Sequence, residues 1–403
     1  MSKKIIVISP VPSHPQTAGN RARIYSLLIV LRDLGYTVHF VHIQETLGDT
    51  VAMREAWGCN FHVIPYRAPD TRKKRFSRRL DQRIVRRLQA WAGNDPRYNF
   101  EIDDWYDDSV TPYLSKLAEE IRPDVVMVEY VFFSKALECF DQDCTKIIDT
   151  HDIFAGRYKL YQRQGHTPQW FSTTSREECK GLKRADIIVA IQSGEANYFA
   201  TQRPAHRVVT VGHLMPVVCL PRPQQSHKLL FLASQNPINV DAFNYFIQTI
   251  FPFLKDQVAE LELLLVGDIC DHVADYDGCR KLGSISNLQT AYEKADIIIN
   301  PIQFGTGLKI KNIEALAFGK PLVTTSIGAF GLESGIGSAF VVADNPHEFV
   351  IAIVDLLTDE DHYQRLSTAA LAFANRWNQI CLASLSDLLA KATVPSPVSS
   401  MPL

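Results

Sequence analysis

The sequence lacks any apolar stretch that approaches the roughly 20 residues needed to cross a membrane as a helix. It also lacks a marked charge imbalance, since the formal net charge is -2 over 403 residues, and this gives no chain-wide reason to expect nucleic acid binding. The first apolar run ends at Pro10 and Pro12 and is too short for a signal peptide core. The sequence therefore predicts a cytoplasmic protein that binds no nucleic acid.

Paired cysteines are missing as well. The eight cysteines form no CxxC pair and have no histidines beside them at zinc-ligand spacing. We expect them to be reduced thiols with no structural metal.

What the sequence does contain is a regular alternation of β-branched runs and helical patterns. The runs are KIIVISP, TVHFVHI, PDVVMVEY, KIIDTHD, ADIIVAIQ, RVVTVGH, KLLFLAS, LELLLVGD, ADIIINPI and PLVTTS. This alternation predicts an α/β protein with doubly wound parallel sheets, whose ligands bind at the carboxyl ends of the strands.

The runs fall into two similar series, separated by the proline-rich and polar segment MPVVCLPRPQQSHK. We predict an amino-terminal Rossmann-like domain over residues 1–212, a linker over 213–227 and a second Rossmann-like domain over 228–372. A helix over 373–392 is expected to cross back to the first domain. The tail, residues 393–403, is rich in proline and serine and is predicted to be disordered. Ligand chemistry is expected in the cleft between the domains.

One stretch, GTGLKIKNIEALAFGKP at residues 305–321, joins a buried strand to a helix through a glycine turn. The pattern predicts a helix from about Leu308 to Phe318 with Gly319 at its carboxyl cap. Such a turn offers backbone N–H groups to an anion. Two lysines near the amino end of the helix are unfavourable against its dipole unless an anion is bound there.

We therefore interpret Lys309 and Lys311 as ligands of a diphosphate, together with Gly305, Thr306 and Gly307 of the turn. The alternative is that Lys311 pairs locally with a carboxylate and Lys309 is solvated.

Glu314 is the acidic residue of that helix. Its carboxylate can accept two hydrogen bonds from a ribose diol, as acidic residues do in dinucleotide-binding folds. The alternative is an ion pair with Lys311 three residues earlier.

Taken in order, the segments resemble the family 4 glycosyltransferases, retaining enzymes of the GT-B fold that use nucleotide sugars. The resemblance covers nearly the whole chain and rests on TAGNRAR, KIIDTHD and ADIIINPIQFGTGLKIKNIEALAFGKPLVTTSIGAFGL, of which the last is the specific one. It implies two Rossmann-like domains facing a central cleft, with residues 1–212 on the acceptor side and residues 228–372 binding the donor. The donor is a nucleotide sugar. It also implies no permanently bound cofactor and no required metal.

Carried over residue by residue, the resemblance gives Glu314 the donor ribose and places Lys309 and Lys311 at the donor diphosphate. Gly19 matches the glycine loop that approaches the same phosphates or the acceptor. His151 falls where the family has a histidine near the transferred sugar.

Two departures from the family pattern stand out. Thr306 occupies the position of the first of two family glutamates, so the sugar contact of that glutamate is missing. The usual arginine and lysine pair after the first strand of the second domain is also missing, because LASQNPINVDAF has no basic residue. As a hypothesis, Lys309 and Lys311 take over that charge.

His151 and Asp152 are the predicted catalytic residues. A neutral imidazole at the end of a strand can bond the sugar or the acceptor, with Asp149 or Asp152 fixing its tautomer. A metal site and a purely structural turn are the alternatives, and we predict no metal.

Residues 67–91 contain ten lysines or arginines and a stripe of apolar residues at helical spacing. Such a helix can lie on an anionic membrane surface, which would suit a lipid-linked acceptor. The alternative is a surface helix with solvated arginines.

The sequence thus predicts a glycosyltransferase, cytoplasmic or peripheral on the inner face of a membrane, that moves a sugar from a nucleotide-diphosphate donor to a hydroxyl of a glycan, polysaccharide or lipid-linked acceptor. The alternatives are a catalytically degenerate subunit that binds nucleotide sugar within a complex, and a nucleotide-sugar epimerase.

Overall fold

The structure, a computed structural model, describes residues 2–67, 95, 97–202, 206–223, 226–285 and 287–392. By their contacts the residues form two compact units. The first comprises the described residues within Met1–Pro12, Leu27–Val211 and Leu382–Leu403, and the second comprises those within Ser13–Ser26 and Gly212–Cys381.

A parallel sheet forms the centre of the first unit, with seven strands among the described residues in the order β3-β2-β1-β4-β5-β6-β7. The strands are β1 (Lys4–Ser9), β2 (Thr37–Ile43), β3 (Phe61–Ile64), β4 (Val125–Glu129), β5 (Thr145–Asp149), β6 (Ile187–Ala190) and β7 (Arg207–Thr210). Strands β4 and β6 are buried along their whole length, which explains why they are continuous apolar runs in the sequence.

Six α-helices accompany these strands in the described part of the chain. They are α1 (Gly19–Asp33), α2 (Thr50–Trp57), α3 (Thr111–Ile121), α4 (Tyr158–Arg163), α5 (Ser175–Leu182) and α6 (Ser193–Gln202). Local signals explain several of the ends. Asp49 and Thr174 cap α2 and α5 by accepting backbone hydrogen bonds, and Pro112 lies in the first turn of α3.

The second unit contains a parallel sheet of six strands among the described residues, in the order β10-β9-β8-β11-β12-β13. The strands are β8 (Lys228–Leu232), β9 (Glu262–Val266), β10 (Cys279–Gly283), β11 (Ile297–Asn300), β12 (Leu322–Thr324) and β13 (Val341–Val342). A buried apolar cluster, which includes Phe243, Phe246, Phe251 and Ile353, covers this sheet.

The α-helices described after β7 are α7 (Pro237–Thr249), α8 (Phe251–Gln257), α9 (Gln289–Glu293), α10 (Ile310–Ala317), α11 (Pro346–Thr358) and α12 (Glu360–Ala392). Helix α10 is the one predicted from about Leu308 to Phe318. Its carboxyl end is closed as expected, because Gly319 has a φ of 65° and Lys320 N donates to the carbonyl of Ala315.

All ten strands predicted from the sequence are present, and the expectation of parallel α/β sheets is confirmed. The three further strands, β3, β10 and β13, lie at sheet edges and are partly exposed. Their segments are short or interrupted by polar residues and therefore give a weaker apolar signal, whereas β7, also an edge strand, has the β-branched sequence RVVT.

Two features differ from the predicted domain boundaries. Residues 13–26 belong to the second unit, where His14 packs against Tyr25 and Gly19 closely approaches Ile310. The last helix begins at Glu360 rather than near residue 373, because Asp359 caps it by accepting a hydrogen bond from His362 N.

Two predicted segments lie outside the described residues. These are the tail over 393–403 and the basic segment over 67–91, of which only Arg67 is described. Among the described residues, no helix combines the length and apolar character that a membrane span requires. All eight cysteines are free thiols.

Gly267 and Gly283 provide a matched test of the turns after β9 and β10. Gly267 adopts φ 113° and ψ 178°, and a Cβ there would overlap the carbonyl oxygen of Ala233. Gly283 has a φ of 68° with no atom within 4 Å of a Cβ. We expect Gly283→Ala to cost about 1 kcal/mol of unfolding free energy and Gly267→Ala more than about 3 kcal/mol. Urea denaturation measures both, and equal losses would contradict this account.

Candidate functional site

The turn between β11 and α10 needs glycine at two positions. Gly305 and Gly307 have φ angles of 128° and 73°, which side chains other than glycine rarely adopt. A Cβ on Gly305 would lie 3.6 Å from Ile238 at the start of α7. The turn therefore runs close over the residues that follow β8.

Lys309 holds this turn in place. Its ammonium donates to the carbonyl oxygens of Thr306 at 2.6 Å and Gly307 at 3.0 Å. Its backbone is extended, so that the helix begins at Ile310 and Lys309 is the cap residue. Thr306, which stands where the family has a glutamate, contributes its carbonyl to this arrangement.

A buried polar network fixes the first turn of α10 against the sheet. The Asn312 amide accepts from Asn300 at 2.9 Å and donates to the carbonyl of Gly328 at 2.9 Å and to the hydroxyl of Thr324 at 3.3 Å. All three side chains, Asn300, Asn312 and Thr324, are fully buried. Such a network specifies the position of a helix because every buried polar group needs its partner.

Lys311 points from α10 to the segment after β8. Its ammonium donates to Oδ1 of Asn239 at 3.2 Å and lies 4.6 Å from the ring centre of Phe231. Burial and the neighbouring Lys309 lower the pKa of Lys311 to about 7, and Glu314 opposes this shift. The ammonium thus reaches Asn239 on α7, within the segment LASQNPINVDAF that lacks the basic pair of the family.

Glu314 is buried and accepts a hydrogen bond from the hydroxyl of Tyr292 at 3.1 Å. Burial raises the pKa of Glu314 to about 7, and the Tyr292 hydroxyl and the Lys311 charge partly oppose that rise. Lys311 and Glu314 therefore interact through their charges while each contacts another partner. This differs from the direct ion pair considered as an alternative.

Gly19, from the amino-terminal segment of the same unit, comes close to this helix. A Cβ on Gly19 would lie 3.1 Å from the side chain of Ile310. The structure thus brings Gly19, the glycine turn, Lys309, Lys311 and Glu314 to one region of the second unit. Their assignment to the donor diphosphate and ribose stays a prediction.

His151 lies in the first unit, beyond the carboxyl end of β5. Its Nε2 is 2.5 Å from Oε2 of Glu129, at the end of β4, and 3.8 Å from Oδ2 of Asp149. Glu129 and Asp149 are neighbours in the sheet register and are fully buried. The imidazole stacks on the ring of Tyr130, with ring centres 4.1 Å apart.

The backbone around this histidine is strained. Tyr130, His151 and Trp170 have φ angles of 71°, 60° and 63°, and Trp170 packs edge-on against Tyr130. Positive φ at aromatic residues is uncommon, and such strain concentrates at functional sites.

Asp152 does not orient the imidazole. Its Oδ2 pairs with Nε of Arg157 at 3.2 Å, and its Oδ1 accepts a hydrogen bond from Ile153 N. Glu178 fixes the same loop by accepting from the backbone N–H groups of Phe154 and Ala155, and burial raises the pKa of Glu178 to about 7. The carboxylate that contacts His151 is Glu129, which the sequence reading did not single out.

Three side chains of the first unit could together bind a divalent cation. The ligand atoms of Glu129, Asp149 and His151 lie within 4.8 Å of one another. Two carboxylates and an imidazole are a suitable set for a transition metal. The prediction that no metal is required stays a prediction.

Several residues of both regions were missed by the sequence reading. Glu129 directly follows the apolar run VVMV of β4. A charged residue at the end of a buried strand could have identified it as a candidate site residue. Tyr292, Asn239 and Phe231 gave no comparable signal, because they become neighbours of Lys311 and Glu314 only in the folded sheet.

The chain is similar to known proteins in part of its sequence and in its fold. Residues 226–359 match the family model described as Glycosyl transferases group 1. An uncharacterized 44.6 kDa protein in the cps region of Klebsiella pneumoniae is 24% identical over 149 residues, which span 34% of this chain and 38% of that protein.

Solved structures are similar over almost the whole chain. Sucrose-phosphate synthase from Thermosynechococcus elongatus has a TM-score of 0.65 at 14% identity, covering 98% of this chain and 100% of that one. Anabaena HepE in complex with UDP-glucose has a TM-score of 0.61 at 13% identity, covering 96% and 99%. These likenesses confirm the predicted GT-B fold, and the family match shows that residues 226–359 are similar to group 1 glycosyl transferases.

Glu314 provides a test of the charge buried in the second unit. Burial raises the pKa of Glu314 from 4.5 to about 7, so between these pH values the folded chain binds a proton that the unfolded chain has lost. The free energy of unfolding therefore falls as the pH rises from 4.5 to about 7. We expect Glu314→Gln to match the wild type within about 1 kcal/mol at pH 5 and to be about 2 kcal/mol more stable at pH 8.

The measurement is urea denaturation at both pH values. Glu293→Gln, which changes an exposed carboxylate on the adjacent helix α9, is the control and is expected to behave like the wild type. A destabilised Glu314→Gln at pH 8 would show that the carboxylate is stabilised rather than penalised by its surroundings.

Proposed function

We propose that this chain is a retaining glycosyltransferase of family 4, which moves a sugar from a nucleotide-diphosphate donor to a hydroxyl of a glycan, polysaccharide or lipid-linked acceptor. The observation that carries the proposal is the start of α10, where Lys311 and Glu314 are enclosed with shifted pKa values. Strongly shifted ionisable groups beside a glycine turn are typical of ligand sites. This region lies within the part of the chain that matches the glycosyltransferase family model.

Glu314 is proposed to hold the donor ribose. Tyr292 binds one side of its carboxylate, and burial leaves that carboxylate short of the hydration an ion prefers. A ribose diol would supply two hydrogen bonds in place of water. Binding would then favour the ionised form of Glu314.

Lys311 is proposed to bind the donor diphosphate in place of the missing basic pair. Its ammonium already lies at Asn239, in the segment where that pair is absent. A lysine whose pKa is lowered by burial gains most from a bound anion, because the anion restores the charged form. Lys309 is proposed to act on the same phosphates chiefly by holding the carbonyls of the turn.

The departing diphosphate would need stabilisation as the bond to the sugar breaks. The amino end of α10 and the N–H groups of the turn offer fixed dipoles for this purpose, with Lys311 as the cation. The proposed reaction therefore requires no metal. The acceptor hydroxyl would attack from the face that the diphosphate leaves, and the anomeric configuration would be retained.

His151 is proposed to contact the transferred sugar or the acceptor hydroxyl. Its strained backbone and its stacking on Tyr130 favour a functional role over a structural turn. Asp152 is proposed to shape the adjacent loop through Arg157.

The acceptor is proposed from one relative and from one segment of the sequence. The Klebsiella pneumoniae relative is described as lying in the cps region. A glycan or lipid-linked acceptor at the inner face of a membrane would suit the basic segment over residues 67–91.

Donor binding is tested by thermal stabilisation with UDP-, GDP-, dTDP- and CMP-sugars in the absence of metal. We expect a selective shift with one nucleotide class, and a loss of at least about tenfold in affinity in Lys311→Met and Glu314→Gln, since each removes a charged contact. Lys294→Met, an exposed lysine of the same unit, is the control.

Slow hydrolysis of the bound donor is then measured in the wild type and in His151→Ala. Loss of turnover with intact donor binding is expected of an enzyme. Full activity of a complex that contains His151→Ala would instead identify a degenerate subunit. No shift with any of the four classes would overturn the donor site.

The pH dependence of UDP binding tests Lys311 separately. Because its pKa is lowered to about 7, binding of an anion above that pH requires uptake of a proton. We expect the affinity for UDP to fall by up to about tenfold per pH unit between pH 7.5 and 9. Isothermal titration at several pH values measures this fall. A similar slope in Lys311→Met would assign the proton to another group.

A further inference from the structure

The carboxyl ends of β4 and β5 give His151 a specific hydrogen-bonding partner. Glu129 and Asp149 are register partners on adjacent parallel strands, and His151 follows β5 closely enough for its ring to turn back over both. Nε2 is 2.5 Å from Glu129 and 3.8 Å from Asp149. Only the first distance is a hydrogen bond.

Both carboxylates face the same ring nitrogen. An ionised carboxylate at Glu129 attracts a proton on Nε2, whereas it would repel a lone pair there. The geometry therefore favours the imidazole tautomer that carries its hydrogen on Nε2 and donates it to Glu129. In that tautomer Nδ1 has a lone pair and no hydrogen.

Nδ1 makes no hydrogen bond to any residue within the described ranges. A ring nitrogen in that state can accept a hydrogen bond from a hydroxyl group but cannot donate one. Sugars carry hydroxyl groups on nearly every carbon. The nitrogen thus has the right chemistry to accept a hydrogen bond from a sugar hydroxyl.

The ring is also prevented from turning over. Tyr130 stacks beneath the imidazole with an interplanar angle of 17°, and Trp170 packs edge-on against Tyr130 at 5.1 Å. The positive φ angles of all three residues give them a backbone conformation that their neighbours must maintain. A ring flip would move Nε2 away from Glu129 and break the buried bond.

We propose that Glu129 is a positioning residue that fixes His151 as the Nε2–H tautomer, so that Nδ1 accepts a hydrogen bond from a hydroxyl of the sugar substrate. This inference rests on the proposed function of the chain as a glycosyltransferase. It excludes His151 as a hydrogen-bond donor to the sugar and gives the buried carboxylate of Glu129 a role in turnover.

The tautomer is measured directly in the full chain labelled with ¹⁵N-histidine. Long-range ¹H–¹⁵N correlation spectra distinguish Nε2–H from Nδ1–H rings, and His151→Gln identifies the signals by their loss. We expect the wild type to show Nε2–H at His151. We expect Glu129→Gln, which removes the charge, to show a mixture of tautomers. A wild-type ring with its hydrogen on Nδ1 would overturn the proposal.

The kinetic part compares Glu129→Gln with a matched control, Asp104→Asn. Both variants replace a buried carboxylate of the first unit, but Asp104 accepts a hydrogen bond from the backbone N–H of Glu101. We expect Glu129→Gln to lower kcat at least about tenfold with an unchanged Kd for the donor. Asp104→Asn is expected to keep the wild-type tautomer and to stay within about twofold in kcat.

Three further outcomes would overturn the proposal. The first is an unchanged tautomer together with unchanged kcat in Glu129→Gln. The second is a loss of kcat in the control as large as that in Glu129→Gln, which would indicate general disturbance of the unit. The third is a wild-type activity that EDTA abolishes and Mn²⁺ restores, with His151 signals broadened by Mn²⁺, which would assign the three groups to a metal.

Failure of the proposed function gives a different result. If no nucleotide sugar binds the wild-type chain, the glycosyltransferase proposal fails while the spectra still report the tautomer. The proposed role of Glu129 in turnover would then be wrong as well, and only the assignment of the His151 tautomer would be retained.

Discussion

The burial of charged groups at the carboxyl ends of parallel strands is the constraint on which the rest of this structure depends. The central strands are covered on both faces, so their apolar length offers no place for a charge. Charged groups gather where the strands end, and each needs a partner there. Glu129 at the end of β4 contacts His151, and Glu314 on α10, the helix that follows β11, contacts Tyr292. The polar chemistry of the chain is therefore concentrated at a few positions that the sheets themselves determine.

Much of the fold could be predicted because strands that are buried on both faces can be recognised in the sequence. A strand buried on both faces is a continuous apolar run, and every run identified in the sequence became a strand. The strands β3, β10 and β13 are partly exposed, and their segments are short or interrupted by polar residues, so they lack a clear apolar run. The start of α12 was also missed, because Asp359 both ends one helix and caps the next.

The sequence predicted where the candidate site residues lie along the chain, but not which groups their side chains contact. Glycines that require positive φ and a carboxylate on the following helix can be found in the sequence, since their backbone or chemistry restricts them. The direction of a long side chain is decided by tertiary neighbours instead. Lys309 turns to the carbonyls of its own loop, whereas Lys311 reaches Asn239 in another element. Likewise, the partner of His151 comes from the adjacent strand and not from the aspartates beside it in the sequence.

The contact between Glu129 and His151 links positions 22 residues apart that sit on adjacent strands of one sheet. A change at either position alone would break this buried hydrogen bond while the other ionisable group stays buried, which is more costly than changing both together. Descendants of this chain would therefore tend to keep the pair or to lose it as a unit. Such coupled inheritance would make the pair visible in an alignment as two columns that vary together, although neither residue is close to the other along the chain.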